Sequence, residues 1–343
     1  MEKAVYFSVE NSIGHIWLNS PKTLNALSIE MIISMTEQLE TWEDDSSIKA
    51  VIMLSTSERA FCAGGDVVSL YDAMVEEKNA GEFFKYEYFL DEYIHNFKKP
   101  IICLADGIVM GGGIGIMNGA SHRIVTERSM LAMPEITIGL FPDVGGSYFL
   151  NKMPGNVGKF LALSGARLNG ADAKFVSMAD YFISSEQVPV LKDALGNFNW
   201  HEDTLADLFK GLEHKSDVQE SEIEKRLEEI NKLADPDNII EISKMWGEYQ
   251  TEDKWLKRSV KNFLKGSPTS AAVILEQLKR GKGLTLGEVF AMESNMAQQF
   301  TRHHDFREGV RALLIDKDNN PQWNPAKVED VDREHVLDHF KES

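Results

Sequence analysis

FCAGGD at residues 61–66 and MGGGIG at 110–115 are two glycine-rich turns, and MPEITIGLFPDVGG at 133–146 follows them with carboxylates at Glu135 and Asp143. Glycine lets a backbone amide approach a ligand with no side chain in the way, so two such turns can aim two N–H donors at one oxygen. A carboxylate beside the carbon bearing that oxygen is placed for acid, base or nucleophilic work on a carbonyl compound. One glycine cluster alone usually marks only a turn. The order and crowding of these segments are what point to a site.

Outward from this region, apolar runs rich in β-branched residues at Ala4–Val9, Ile13–Leu18, Ala50–Leu54, Ile101–Ala105, Arg123–Thr126 and Tyr181–Ile183 predict strands. Helical patterns separate most of them, which makes the fold class α/β. Ser28 before IEMIISMTEQLETWE predicts a capped helix with Met31, Ile32, Met35 and Leu39 as its apolar stripe. Asp66 reads as the N-cap of VVSLYDAM, and Gly81 precedes a strongly aromatic helical stretch whose rings are expected in the core. From about Phe198 strands give way to acidic amphipathic helices. This divides the chain into a catalytic core at 1–197 and a C-terminal helical region at 198–343 that completes the domain.

With 343 residues and 43% hydrophobic content the chain can bury a sizeable core. A net charge of −18, from 54 acids against 36 bases, argues against nucleic-acid binding, which needs a basic face. A few cations and helix N-termini could still hold an anionic small molecule. Cys62 and Cys103 stand in neither a CxxC nor a Cys/His spacing, so no disulfide framework or structural zinc is expected and a reducing compartment fits. MEKAVYFSVENSIGHIWLN has the character of neither a signal nor a transit peptide, and no run reaches the roughly 18 apolar residues of a membrane span. The expectation is a soluble cytoplasmic protein with no membrane partner.

The familiar signatures fail letter by letter. No placement around Gly111–Gly115 satisfies G-x-G-x-x-G, neither Gly158–Lys159 nor Gly281–Lys282 continues to Ser or Thr, and Gly145–Gly146–Ser147 runs on into Tyr-Phe. Dinucleotide, NTP and serine-hydrolase readings are therefore disfavoured. His335 and His339 have a metal-capable spacing but lack the Glu of H-E-x-x-H, and they read as solvent-exposed. No metal site is expected. His303–His304 read as packing and helix entry, and Cys62 as a small hydrophobe. Glu135, after Pro134 where a strand gives way to a loop, and Asp143, between Pro142 and a Gly-Gly helix start, remain. Carboxylates amid so much apolar surface resist ionising, which suits proton transfer. The competing structural roles are a helix N-cap for Asp143 and a buried salt bridge for Glu135.

Together these segments resemble the crotonase (enoyl-CoA hydratase/isomerase) superfamily, through SPKTLNALS at 20–28, AFCAGGD at 60–66 and the MGGGIG turn. The resemblance implies a ββα superhelical core and polarisation of an acyl-CoA thioester carbonyl by the amides of Gly65 and Gly112. It places Asn25, Ala26 and Leu27, with Ala63, Gly64 and Asp66, along the bound substrate. MPEITIGLFPDVGGSYFL at 133–150, SPTS at 267–270 and HDFREGVRALLIDKDNNPQWNP at 304–325 resemble the branch that hydrolyses short 3-hydroxyacyl-CoA thioesters in valine breakdown. Hydratases of the superfamily use two glutamates, the first three residues after the oxyanion glycine; here that position is Gly115, and Glu135 takes the place of the second.

The chemistry so implied is thioester hydrolysis, with Glu135 as nucleophile or general base. Asp143 would hold the 3-hydroxyl or handle a proton. Glu87 matches a substrate-lining position, its competing reading being a helix-surface acid. CoA enters as part of the substrate, so no cofactor is expected. Members often form trimers or dimers of trimers, which admits a homo-oligomer. The alternatives are an enoyl-CoA hydratase or isomerase, and a non-catalytic acyl-CoA-binding protein.

Overall fold

A computed structural model describes residues 3–214, 216 and 218–342. The predicted strands form one six-stranded sheet in the spatial order Val5–Glu10, Ile13–Leu18, Ala50–Ser55, Ile101–Ala105, His122–Val125 and Tyr181–Phe182. The first two pair antiparallel through a hairpin whose turn residues, Asn11 and Ser12, both take positive φ, as a two-residue hairpin of matching twist requires. The remaining neighbours pair parallel, so each needs a crossover. Helix Ile29–Asp44 supplies the first. The Ser28 hydroxyl caps it by accepting from the Met31 amide at 3.3 Å, and Met31, Ile32, Met35, Leu39 and Trp42 bury its inner stripe. A second sheet, of strands Ala60–Cys62, Ile108–Met110 and Met130–Ala132, was not foreseen. Its strands are three residues each and lie against the glycine turns, too short to show a period.

The chain packs as two compact units interleaved along the sequence. The first comprises Met1–Gly65, Phe89–Leu131 and Leu168–Lys225. Its core sets Ile13, Ile52, Leu54, Ile102, Leu104 and Ile124 of the long sheet against Leu191, Leu195, Phe198, Phe209 and Leu212. The second comprises Asp66–Tyr88, Ala132–Arg167 and Arg226–Ser343, and helices Lys254–Lys265, Pro268–Gly281 and Leu286–Phe300 dominate it. There Phe160 packs on Trp246 and Trp255 at ring separations of 5.3 and 5.7 Å, and Phe141 on Phe300 at 5.1 Å. Among the described residues no strand follows Phe182, and no helix is long and apolar enough to cross a membrane.

Candidate active site

In the first unit both glycine turns present backbone amides. Gly64 has φ +114°, a conformation that disfavours any side chain. Its carbonyl accepts the Leu27 amide at 2.8 Å, in a parallel bridge between Leu27 and Gly65 that does not use the Gly65 N–H. Helix Gly112–Gly119 starts at the second turn, behind Gly111 at φ +46°. The Gly112 N–H is among the first-turn donors that an α-helix leaves without an intrahelical acceptor, at the positive end of its dipole. Gly115 is packed against an acid on a neighbouring helix. A Cβ built on it would lie 2.8 Å from Cγ and Oδ1 of Asp91, a residue only 2% exposed on helix Gly81–Asn96.

The second unit holds the two carboxylates of the 133–146 segment. Strand Met130–Ala132 ends just before Pro134, and Glu135 opens the 3-10 turn Glu135–Ile138, closed by Gly139 in the left-handed region. Glu135 is 4% exposed, and its Oε2 is buried with no hydrogen-bond partner among the described residues. Burial first, and the charge of Asp143 second, raise its pKa well above the usual carboxylate value. Asp143 is equally buried and accepts a 2.8 Å hydrogen bond from the Tyr88 hydroxyl. Burial pushes its pKa up to about 7, against the Tyr88 hydrogen bond, which favours the ionised form. Among the described residues no cation forms an ion pair with Glu135, so the salt-bridge alternative falls away. Glu87, one residue before Tyr88, is 2% exposed and is not a helix-surface acid.

The N-cap role once open to Asp143 belongs to a residue that the sequence reading did not single out. Glu293, fully buried on helix Leu286–Phe300, accepts the amides of Gly145 and Ser147 at 2.8 Å each. These amides begin the short helix Gly146–Phe149, so Glu293 fixes the turn that carries Asp143. Burial lifts its pKa to about 8, although the two amides favour its ionised form. Gln277 adds hydrogen bonds from its side-chain amide to the Pro142 carbonyl at 2.6 Å and to Ser147 Oγ at 2.9 Å. Within the turn Val144 takes φ +52°, an outlier for a β-branched residue that persists only where the surroundings over-determine it. No local signal reveals Glu293 or Gln277, because each meets the turn from more than a hundred residues away. Tyr88 was legible only as one of several aromatics.

The other residues singled out in the sequence make contacts within the fold. The amides of Asn25, Ala26 and Leu27 are engaged by Ser20, Thr23 and Gly64 carbonyls, so any ligand contact there falls to carbonyl oxygens. The Asn25 side chain is structural, donating to Ser55 Oγ at 2.8 Å and the Phe61 carbonyl at 2.9 Å. Asp66 caps helix Val67–Val75 by accepting from the Ser69 amide at 3.2 Å, and Ala63 donates its amide to the Leu24 carbonyl at 3.0 Å. Cys62 is buried, with its thiol 3.2 Å from the Asn25 carbonyl. His303 stands at the entry of helix His304–Val310 as expected, but the solvent-exposed reading of the C-terminal pair fails for His339, which is fully buried against Phe300.

The order of strands and helices, the glycine amides at the head of a buried helix and the buried carboxyl pair define an α/β protein of the crotonase class. The chain belongs to the enoyl-CoA hydratase/isomerase family, whose model matches residues 13–340. It is 40% identical over 342 residues to the mitochondrial 3-hydroxyisobutyryl-CoA hydrolase of Gallus gallus, covering 98% of this chain and 88% of that protein. To the Homo sapiens protein of the same name it is 38% identical over 333 residues, covering 96% and 86%. Among solved structures it matches an enoyl-CoA hydratase from Rhodobacter sphaeroides 2.4.1 with TM-score 0.90 and 32% identity, over 99% of this chain and 98% of that one. A carnitinyl-CoA dehydratase from Mycobacterium thermoresistibile matches with TM-score 0.90 and 31% identity, over 100% and 97%. These relatives overturn the cytoplasmic expectation, since the hydrolases are named as mitochondrial. Free cysteines and, among the described residues, the lack of a helix long and apolar enough to cross a membrane are common to several compartments and could not choose among them.

Proposed function

We propose that this protein hydrolyses 3-hydroxyisobutyryl-CoA to 3-hydroxyisobutyrate and CoA, a step of valine breakdown. The observation that carries the reading is its similarity, at 37–40% identity over 94–98% of the chain, to hydrolases of that name. Gly115 supports it from the chemistry: a hydratase of this superfamily carries its first glutamate there, and here the Asp91 carboxyl lies where that side chain would begin. With one carboxylate of the hydration pair absent, water addition across a double bond loses its partner while acyl transfer does not.

In this mechanism the Gly65 and Gly112 amides stabilise the oxyanion that forms on the thioester carbonyl, each donor worth about 3 kcal/mol at the transition state. Glu135 acts on the carbonyl carbon by one of two routes. As general base it takes a proton from water, whose oxygen bonds to the carbon; the C–S bond then breaks and the thiolate recovers that proton. As nucleophile its oxygen bonds to the carbon directly and CoA leaves as thiolate; water then attacks the Glu135 carbonyl carbon of the resulting anhydride, freeing the product acid, and the proton that the water loses goes to the thiolate. A single turnover in 18O-water separates the routes, because only the second puts label into Glu135. The high proton affinity of Glu135 and Asp143 suits either route, since a proton must be held and returned within one cycle. Asp143, steadied by Tyr88, reads the 3-hydroxyl of the substrate, and Glu87 lines the acyl site. The reaction needs no cofactor beyond the CoA of the substrate.

The enoyl-CoA hydratase reading has the names of similar solved proteins in its favour. A panel of acyl-CoAs, followed for free thiol and for enoyl absorbance, decides between them. Thiol release from 3-hydroxyisobutyryl-CoA with no change on crotonyl-CoA is the expected result; loss of enoyl absorbance without thiol removes the proposal. Assembly into a homo-oligomer belongs to the same reading, and light scattering checks it.

A further inference from the structure

Three imidazoles outside the carboxylate site converge in the second unit. His303 lies between helices Leu286–Phe300 and His304–Val310, His335 lies on helix Arg333–Asp338, and His339 follows directly as that helix's C-cap. One ring nitrogen from each lies within 4.8 Å of those of the other two. His335 and His339 are one turn apart, so their side chains share a helix face. The ring of His303 stacks on that of His339 at a centroid separation of 4.1 Å.

His339 shows the features of a ligand held ready. Its Nδ1 lies 2.9 Å from the His335 carbonyl, an acceptor only, so Nδ1 carries the proton and Nε2 carries the lone pair. Metal-bound histidines are oriented in this way by a backbone carbonyl on the second nitrogen. The Nε2 so defined is buried and has no hydrogen-bond partner among the described residues, in a side chain with no solvent exposure. A buried acceptor without a donor costs about 1–3 kcal/mol, which packing alone does not explain. A cation is the donor-like group it lacks.

We propose that His303, His335 and His339 bind one divalent transition-metal ion of the zinc class, with a water completing a four-coordinate shell. Three neutral imidazoles favour zinc, cobalt, nickel or copper over magnesium or calcium, which take oxygen ligands. A tetrahedral ion with metal–nitrogen bonds of about 2.0–2.1 Å sets its ligand nitrogens about 3.4 Å apart. Closing from 4.8 Å is a contraction shared among side chains, and it needs the His303 ring to unstack by turning about χ2, a broad torsion for histidine. The ion ties the segment after helix Leu286–Phe300 to the last helix of the chain. Its role is a staple, separate from the hydrolysis, which asks for no metal.

The test uses the tag-free full chain, stripped with a chelator and titrated with Co2+ and then Zn2+. The expected result is one Co2+ per chain with a visible ligand-field spectrum, displaced by Zn2+, and a melting temperature raised by Zn2+ but not by Mg2+. His335→Gln changes a partly exposed side chain, and His303→Gln provides a second variant. Each should weaken binding at least as much as loss of an outer-shell partner, roughly 10–100-fold. No saturable uptake by the unmodified chain, or uptake that both substitutions leave unchanged, overturns the proposal.

Discussion

Glu293→Ala is expected to cost both stability and turnover, although Glu293 is assigned no contact with substrate. Its two carboxyl oxygens accept the Gly145 and Ser147 amides at 2.8 Å each, in a site with no solvent exposure. Truncation leaves both amides buried without an acceptor, at about 1–3 kcal/mol each. Part of this is returned because a buried acid with pKa near 8 is itself costly to hold at neutral pH, so a net loss of about 2–4 kcal/mol is expected. Glu293→Gln keeps one acceptor and turns an N–H toward the other amide, giving about half that loss. The strained Val144 then has less to hold it, and Asp143 drifts from its place. Misplacement by about 1 Å costs up to roughly a hundredfold in rate. Urea unfolding should show a lower midpoint at unchanged slope for both variants, Ala below Gln, and thiol-release assays should show kcat falling in the same order. An alanine variant that unfolds at the native midpoint and turns over at the native rate would refute the account of how this turn is held.

Tyr88→Phe removes the hydrogen bond that favours ionised Asp143, so the Asp143 pKa rises above its present value of about 7 and the acidic limb of the pH–rate profile moves to higher pH; an unshifted limb separates Asp143 from that limb. Stability should fall as pH rises from about 4 to about 8, because Asp143 and Glu293, with pKa raised to about 7 and 8, bind protons more tightly folded than unfolded throughout that window. Glu293→Gln should flatten the slope in urea titrations across those pH values, and a slope equal to that of the unmodified protein contradicts the assignment. Gly115→Ala drives a methyl into the Asp91 carboxyl, at about 1–3 kcal/mol of overpacking, and Gly115→Glu should yield no hydratase on crotonyl-CoA; a gain of hydration would show that the space is there.

The sequence was most legible where chemistry and chain order coincide. Apolar runs placed the six strands of the long sheet within a residue or two, because β-branched stretches flanked by turns carry their own signal. Ser28 announced its helix through a cap that the structure makes. Glu135 and Asp143 stood out because acids amid apolar residues need a reason. The second sheet was hidden by its three-residue strands. Glu293 and Gln277 were hidden because a carboxyl or amide that reaches across the fold to cap a distant turn looks, in sequence, like any polar residue of an amphipathic helix. His339 failed for the converse reason: its spacing from His335 was visible, but its burial depends on Phe300 and His303, which only the folded chain brings to it.

The central claim is that Glu135 drives thioester cleavage, and Glu135→Gln tests it most directly, since glutamine keeps the shape and removes the basic oxygen. Thiol release from 3-hydroxyisobutyryl-CoA, measured under saturating substrate with folding checked by unfolding midpoint, should drop by roughly 10²–10⁴-fold, the range of a lost general base. A variant that releases thiol at the native rate would contradict the account.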